Sequence, residues 1–222
     1  MLRIVTFLWR EPTQWHGHRY GPEEVNKLFR MIERNTTVPY EPVCICDDPD
    51  GIDKHIRIVP LWDDLRDWGR CWTRLNLYSS DIGALVGSRF LMLDLDTVIL
   101  SNMDHLLRRP ESFIGWPCIP PPGGRPAAIY NGSMVLMDAG ARSRVWETLP
   151  PSPPETPYQG SDQAWISHVL GEGEVTFGPE DGVYSRWDYD GQDNACIVHL
   201  TGSADPRISP WKDTDWVRKH YR

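Results

Sequence analysis

Blocks of apolar residues separated by polar, turn-rich segments dominate the first half of the chain. Apolar runs at 2–8, 42–46 and 56–59 each have the length of a buried strand. Apolar residues between positions 25 and 32 recur with helical spacing, and Pro22 suits the first turn, so a helix is predicted after the first strand. This β–α–β order predicts a parallel sheet with right-handed crossovers and a ligand site beyond the carboxyl ends of its strands.

The segment from Arg89 to Leu100 carries the strongest chemical signal. A run of large apolar residues leads into Asp94 and Asp96, and a second apolar run follows. Side chains two residues apart lie on the same face of a strand, so the two carboxylates are predicted to face the same way and repel each other. A divalent cation such as Mg²⁺ or Mn²⁺ relieves that repulsion and keeps positions open for a diphosphate. The alternative is a strand that ends in a solvated acidic turn.

Patterning in the second half predicts further elements. The predicted strands cover 90–94, 113–116, 130–137 and 196–200, and the predicted helices cover the second half of 62–80, 140–149 and a segment that begins at Asp162 behind a Ser161 cap. The proline-rich segment from Pro117 to Pro126 cannot join a central strand and is predicted to be a lid or a binding loop.

Composition narrows the classes of partner. The chain has 222 residues, 40% of them hydrophobic, and a formal net charge of −8, which argues against a nucleic-acid backbone as the main partner. No apolar run has the length of a transmembrane helix. The five cysteines do not have the spacing of a zinc ribbon or a Cys-x-x-Cys motif. We therefore expect one domain with free thiols in the cytoplasm.

Six short motifs in a fixed order give the sequence a family likeness. They are Asp47-Asp48 after the second strand, Trp72-Thr-Arg74-Leu, Leu93-Asp-Leu-Asp96-Thr-Val, Tyr130-Asn-Gly-Ser133, Ser161-Asp-Gln163, and Val198-His-Leu-Thr-Gly202 followed by Pro210-Trp211. In this order they resemble the nucleotide-sugar-dependent glycosyltransferases of the GT-A fold, in particular glycosyltransferase family 8 and related bacterial proteins. The resemblance covers nearly the whole chain.

The resemblance implies an α/β fold with a central, mostly parallel sheet flanked by helices in a single domain, 1–222. Residues 1–100 would form the nucleotide-binding half and residues 101–222 the sugar and acceptor half. Mn²⁺ or Mg²⁺ would be bound by Asp94, Asp96 and His199. The implied activity is transfer of a sugar from a nucleotide-diphosphate sugar, with a UDP-sugar favoured, to a carbohydrate, lipid or protein acceptor.

The resemblance also implies a donor-binding set. Thr6, Phe7 and Trp9 would lie near the nucleotide base and ribose. Asp48, with Asp47 beside it, would hydrogen-bond the base or the ribose.

The implied sugar and phosphate contacts lie later in the chain. Asn131 and Gly132 would border the donor sugar, and Asp162 and Gln163 would act near the sugar hydroxyls and the anomeric carbon. Gly202 belongs to a late loop that would cover the diphosphate.

Two departures from the family pattern concern the phosphate. Ser209 stands where the family has a Lys before Pro-Trp, and Lys212 or Arg207 could replace that cation. Arg74 stands where related sequences have Lys. A guanidinium binds phosphate in a bidentate manner, so this change is compatible with donor binding.

Several of these residues also have structural explanations. His199 on an apolar strand could be a satisfied core histidine, Asn131-Gly132 could be a turn, and Asp162 could be an ordinary first-turn acid. At the level of function, one alternative is a catalytically silent sugar- or nucleotide-binding module on the same fold. A less favoured alternative is a haloacid-dehalogenase-like phosphatase. The motif of that class has its Thr one residue further from the second Asp, whereas Thr97 follows Asp96 directly.

Overall fold

The computed structural model describes residues 1–9, 20–62, 65, 68–159, 162–200 and 214–222. In chain order the elements are β1 (Leu2–Leu8), α1 (Pro22–Asn35), β2 (Tyr40–Cys46), β3 (Arg57–Pro60), a 3-10 helix (Arg70–Tyr78), α2 (Gly83–Val86), β4 (Arg89–Leu93), β5 (Thr97–Ile99), α3 (Asp104–Leu107), β6 (Phe113–Pro117), β7 (Tyr130–Asp138), α4 (Arg144–Glu147), α5 (Asp162–Leu170), a second 3-10 helix (Pro179–Asp181), β8 (Val183–Ser185), β9 (Ile197–His199) and α6 (Asp215–His220).

The larger sheet has the strand order β3-β2-β1-β4-β7-β6. Strands β3, β2, β1 and β4 run parallel, whereas β7 runs antiparallel to both β4 and β6. The carboxyl ends of β1, β2 and β4 therefore share one edge of the sheet with the amino end of β7. The predicted parallel β–α–β arrangement is confirmed, and it places the segments after Leu8, Cys46 and Leu93 together.

A smaller sheet of order β5-β9-β8 continues from this edge. The chain leaves β4 at Leu93, turns at Leu95 and Asp96, and enters β5 at Thr97. The Asp94–Asp96 segment therefore connects two sheets. The prediction that both carboxylates lie on one face of a single strand is wrong, because side-chain alternation does not extend through the turn.

Alternate residues of the central strands divide the core into two layers. On one side of the sheet Ile4 and Leu91 pack with the apolar face of α1, including Leu28 and Phe29. The other side buries Val5 and Phe90 among side chains of the first 3-10 helix and α5. Since burying one such side chain stabilises the fold by about 2 kcal/mol, the two layers hold the sheet edge in place.

Helix α1 begins and ends at polar contacts. Glu24 accepts a hydrogen bond of 2.8 Å from the backbone N–H of Gly21, which satisfies a donor at the start of the helix. At the other end, Asp104 at the start of α3 accepts hydrogen bonds from the hydroxyls of Thr36 and Thr37 and from the Thr37 N–H. These bonds join the end of α1 to α3.

Two predicted elements differ in extent from what the structure contains. The helix predicted for residues 140–149 is limited to Arg144–Glu147, with turns around it. The segment between β6 and β7 is irregular and mostly exposed, as predicted for a loop, and its role as a lid stays a prediction. Within the described ranges, no helix is both long enough and apolar enough to span a membrane.

Candidate active site

The site lies at the shared edge of the larger sheet. Asp94 directly follows β4, and its backbone N–H donates to the Ser133 carbonyl at 2.9 Å. The antiparallel pairing of β4 with β7 thereby brings Asn131 and Gly132 beside Asp94. Helix α5 packs on β7, which places Asp162, its first residue, at the same edge.

Arg74 bridges the two carboxylates across this edge. Its Nη1 donates to Asp94 at 2.7 Å (Oδ1) and 2.9 Å (Oδ2). Its Nε and Nη2 approach Asp162 at 2.8 Å (Oδ2) and 3.1 Å (Oδ1). Burial disfavours the charged guanidinium, but Asp162 and Asp94 outweigh that cost and hold the pKa of Arg74 well above its ordinary value. The cation therefore stays charged and fixes the two carboxylates relative to each other.

Gly132 is buried against this ion-paired group. Nη1 of Arg74 also lies 3.3 Å from the Gly132 carbonyl oxygen. A Cβ at position 132 would lie 2.9 Å from Asp162 Oδ2 and 3.1 Å from Arg74 Nη2. Real Cβ atoms essentially never show a contact under 3.0 Å, so a side chain at position 132 would require the Asp162 carboxylate or the Arg74 guanidinium to shift.

Asp96 and His199 meet where the two sheets join. Thr97 pairs with His199 across β5 and β9, and the Leu200 N–H donates to the Asp96 carbonyl at 3.0 Å. Burial and the charge of Asp94 raise the pKa of Asp96 to about 7. In the part of the chain that the structure describes, its buried Oδ1 atom has no hydrogen-bond partner.

The imidazole of His199 is fully buried. Its Nδ1 lies 3.1 Å from the Thr97 hydroxyl, and its ring packs on Trp116 with 4.2 Å between the ring centroids. Burial lowers the pKa of His199 to about 3, so the ring is neutral. Its Nε2 is buried and has no hydrogen-bond partner among the described residues. Packing and the Thr97 contact fit a core histidine, whereas the unpartnered Nε2 fits a ligand-binding nitrogen.

These atoms allow a test of the predicted divalent cation. Carboxylate oxygens and a neutral imidazole are suitable ligands for Mn²⁺, and the unpartnered Asp96 Oδ1 and His199 Nε2 match that chemistry. In the part of the chain that the structure describes, no three His, Cys, Asp or Glu side chains converge closely enough to hold a metal ion. The carboxylate of Asp94 faces Arg74 instead. The donor types fit a cation, but the three predicted ligands do not surround one point.

The residues predicted to bind the base lie at the end of β1. Thr6 is fully buried, and its hydroxyl donates to the Leu93 carbonyl at 2.8 Å, so it joins β1 to β4. Phe7 is buried in edge contact with Trp62 at 5.8 Å between ring centroids, and the half-buried Trp9 lies 6.5 Å from Phe7. Trp9 and Trp62 thus both pack against Phe7 and stay partly exposed, which gives an aromatic surface at the carboxyl end of β1.

The remaining predicted contacts lie on the same edge or immediately after it. Asp47 is exposed after β2, and Asp48 accepts a hydrogen bond of 2.9 Å from the Asp50 N–H within a tight turn. Asn131 Oδ1 accepts a hydrogen bond of 2.8 Å from the Ser133 N–H, and this bond shapes the start of β7. Gln163 is half-buried, next to Asp162. The predicted Ser161, Gly202, Arg207, Ser209 and Lys212 lie outside the described residues.

One charged residue at this site was missed in the sequence. Arg186 follows β8, and its guanidinium lies over the Trp187 ring at 3.9 Å from the centroid. Burial lowers the pKa of Arg186, and the charge of Asp96 opposes that shift. Nothing in the sequence marks this residue, because its proximity to Asp96 arises from pairing between β8, β9 and β5.

Comparison with solved structures identifies the fold. The galactosyltransferase LgtC, in a crystal structure with donor and acceptor sugar analogs, superposes with a TM-score of 0.61 at 11% sequence identity, covering 97% of this chain and 93% of LgtC. An active-site mutant of LgtC, with glutamate in place of a glutamine, gives a TM-score of 0.64 at 11% identity and covers 98% and 96%. The protein therefore has the GT-A fold. Its sequence matches no protein-family model and no curated protein.

Proposed function

We propose that this protein is a metal-dependent glycosyltransferase that transfers a sugar from a nucleotide-diphosphate sugar, with a UDP-sugar favoured, to an acceptor. The observation that carries the proposal is the convergence of Asp94, Arg74, Asp162 and Gly132 at the ligand-binding edge of the sheet, next to the unpartnered atoms of Asp96 and His199. The fold supports it, because LgtC is a galactosyltransferase crystallised with donor and acceptor analogs.

In this proposal Asp94, Asp96 and His199 would hold the divalent cation, and since they do not surround one point among the described residues, their side chains would have to move closer together to do so. When bound, Mn²⁺ or Mg²⁺ neutralises charge on the diphosphate leaving group. His199 is suited to its part because its ring is neutral and fixed by Thr97 and Trp116. Arg74 donates to both carboxylate oxygens of Asp94, so binding of the cation would require Arg74 and the cation to share that carboxylate or Arg74 to move away from it.

Arg74 and Asp162 would position the donor sugar. Asp162 is 1% exposed and directs its carboxylate at Arg74, so in this conformation it orients Arg74 and is not open to an acceptor hydroxyl. The neighbouring Gln163 is half-buried and is proposed to contact the sugar. The Trp9 and Trp62 surface offers an apolar face for the base. The partly exposed segment between β6 and β7 would limit access of water to the donor.

Thermal unfolding with UDP in the presence and absence of MnCl₂ tests the proposal. Binding at 100 times the dissociation constant stabilises a protein by about 2.7 kcal/mol, so we expect a clear rise in Tm with Mn²⁺ and UDP together. The rise should be absent in Asp96→Asn and retained in Asp81→Asn, an exposed acid that serves as the matched control. Absence of any effect of Mn²⁺ and UDP on wild-type Tm would refute the proposal.

A UDP-release assay with UDP-sugars separates the enzyme from a silent binding module. Release of UDP from a donor panel, with or without added acceptors, indicates catalysis, whereas Mn²⁺-dependent binding without release indicates a binding module. The phosphatase alternative is not retained, because the structural similarity over nearly the whole chain is to a galactosyltransferase.

A further inference from the structure

The backbone of Arg186 is attached to the strand that carries His199. Ser185 pairs with His199 where β8 runs parallel to β9, and the Arg186 N–H donates to the His199 carbonyl at 2.9 Å. The residue directly after β9, Leu200, donates its N–H to the Asp96 carbonyl. Arg186 therefore has a fixed position relative to both residues, although it lies 90 positions from Asp96 in sequence (186 − 96).

The guanidinium of Arg186 stacks on a neighbouring ring, but not all of its N–H donors have hydrogen-bond acceptors among the described residues. One face stacks on Trp187 at 3.9 Å. Among the residues that the structure describes, the buried Nε atom has no hydrogen-bond partner. Across the same ranges no carboxylate lies within 4.0 Å of the guanidinium, and Asp96 is the acid whose charge acts on it. A stacked, partly desolvated guanidinium with an unused N–H is arranged for an anion that the described residues do not supply.

The charges around the site indicate which anion this is. Arg74 is already shared between Asp94 and Asp162, so its charge is offset by two carboxylates. Within the described part of the chain Arg186 has no such pair, and a phosphate offers oxygens that match the guanidinium fork. We propose that Arg186 binds the diphosphate of the nucleotide donor. This inference rests on the proposed function and adds a binding residue to it.

Isothermal titration of UDP, uridine and inorganic pyrophosphate, each with MnCl₂, tests the role of Arg186. In Arg186→Gln, loss of charge-assisted hydrogen bonds should weaken UDP and pyrophosphate binding about 10- to 100-fold. Uridine lacks phosphate, so its affinity should not change. Arg108→Gln removes the same charge from a side chain that is 65% exposed and should bind all three ligands like the wild type.

The outcomes separate this inference from the proposed function. If Arg186→Gln binds UDP as tightly as the wild type does, the proposed role of Arg186 is overturned and the proposed function still stands. Equal weakening of uridine and UDP also overturns it, because that pattern indicates general damage to the site. A wild-type protein that binds neither UDP nor pyrophosphate overturns both proposals. If Arg186→Gln does not fold, Arg186→Lys, which keeps the charge without the fork, should weaken UDP but not uridine.

Discussion

At the scale of single residues, the site depends on the bridging position of Arg74. A lysine carries the same charge but presents one ammonium, whereas Arg74 presents separate N–H groups to Asp94 and Asp162. The two carboxylates lie 68 positions apart in sequence (162 − 94), so one planar cation fixes the geometry between β4 and α5. Arginine rather than lysine at position 74 therefore has a structural consequence.

Gly132→Ala tests how closely this group is packed. The new Cβ would displace Asp162 or Arg74, because it would lie 2.9 Å and 3.1 Å from them. Displacement of about 1 Å can lower turnover about 100-fold. The shift needed here is a few tenths of an ångström, so we expect a smaller loss, about 10-fold or less, in the UDP-release assay. Circular dichroism should show a folded protein.

Gly21→Ala is the control for Gly132→Ala. A Cβ at position 21 would be 3.6 Å from Glu24, an ordinary contact far along the chain from the site. This variant should retain donor turnover even if α1 is slightly destabilised. Full activity of Gly132→Ala would show that the Arg74–Asp162 arrangement is not needed for the reaction.

At the scale of elements, the link between α1 and α3 is an electrostatic one. Hydrogen bonds from Thr36 and Thr37 hold the pKa of Asp104 well below its ordinary value. A depressed folded-state pKa adds stability that is complete above the unfolded-state value of about 3.9 and is lost as the pH falls further toward the folded-state value.

Asp104→Asn should therefore destabilise the protein in a pH-dependent way. We expect a loss of about 2 kcal/mol in unfolding free energy at pH 7, since hydrogen bonds to a charged group are replaced by weaker ones. Urea unfolding of both proteins should show a constant difference down to about pH 5, which narrows below about pH 4. A difference that stays constant to pH 3 would contradict the assigned role of the carboxylate.

Local sequence patterns were sufficient to predict some of these helices and strands but not others. Helix α1 and strands β1, β2 and β4 follow from local apolar periodicity, and their bounds match the predictions within a few residues. Strands β5 and β8 have three residues each, too few for a periodic pattern to identify. They form because β9 lies between them, which is a long-range effect.

At the scale of the whole molecule, the candidate site connects the two sheets. Asp94 belongs to the end of the larger sheet, and Asp96 precedes the first strand of the smaller one. His199 lies on β9 of the smaller sheet, and Arg186 directly follows β8 of the same sheet. Arg74 and Asp162 lie on helices that pack against the larger sheet. A ligand bound here would therefore stabilise both sheets together.

Hydrogen exchange measured by mass spectrometry can show this coupling. With Mn²⁺ and UDP, we expect slower exchange in peptides from 93–100 and 183–200 at once, because both contribute to the same site. Peptides from α1 provide an internal control and should exchange as before. Protection confined to one sheet would show that the ligand does not bridge them.

Local patterns in the sequence were enough to predict the parallel sheet, the segment with Asp94 and Asp96 at its carboxyl edge, and the order of the motifs, because periodicity and strand ends are local properties. Only the packed structure shows that Asp94 pairs with Arg74, that Gly132 leaves room for Asp162, and that the chain turns at Asp96 into a second sheet. It also brought Arg186 to the site. Contacts of this kind depend on strand pairing and packing between distant segments, which no local pattern encodes.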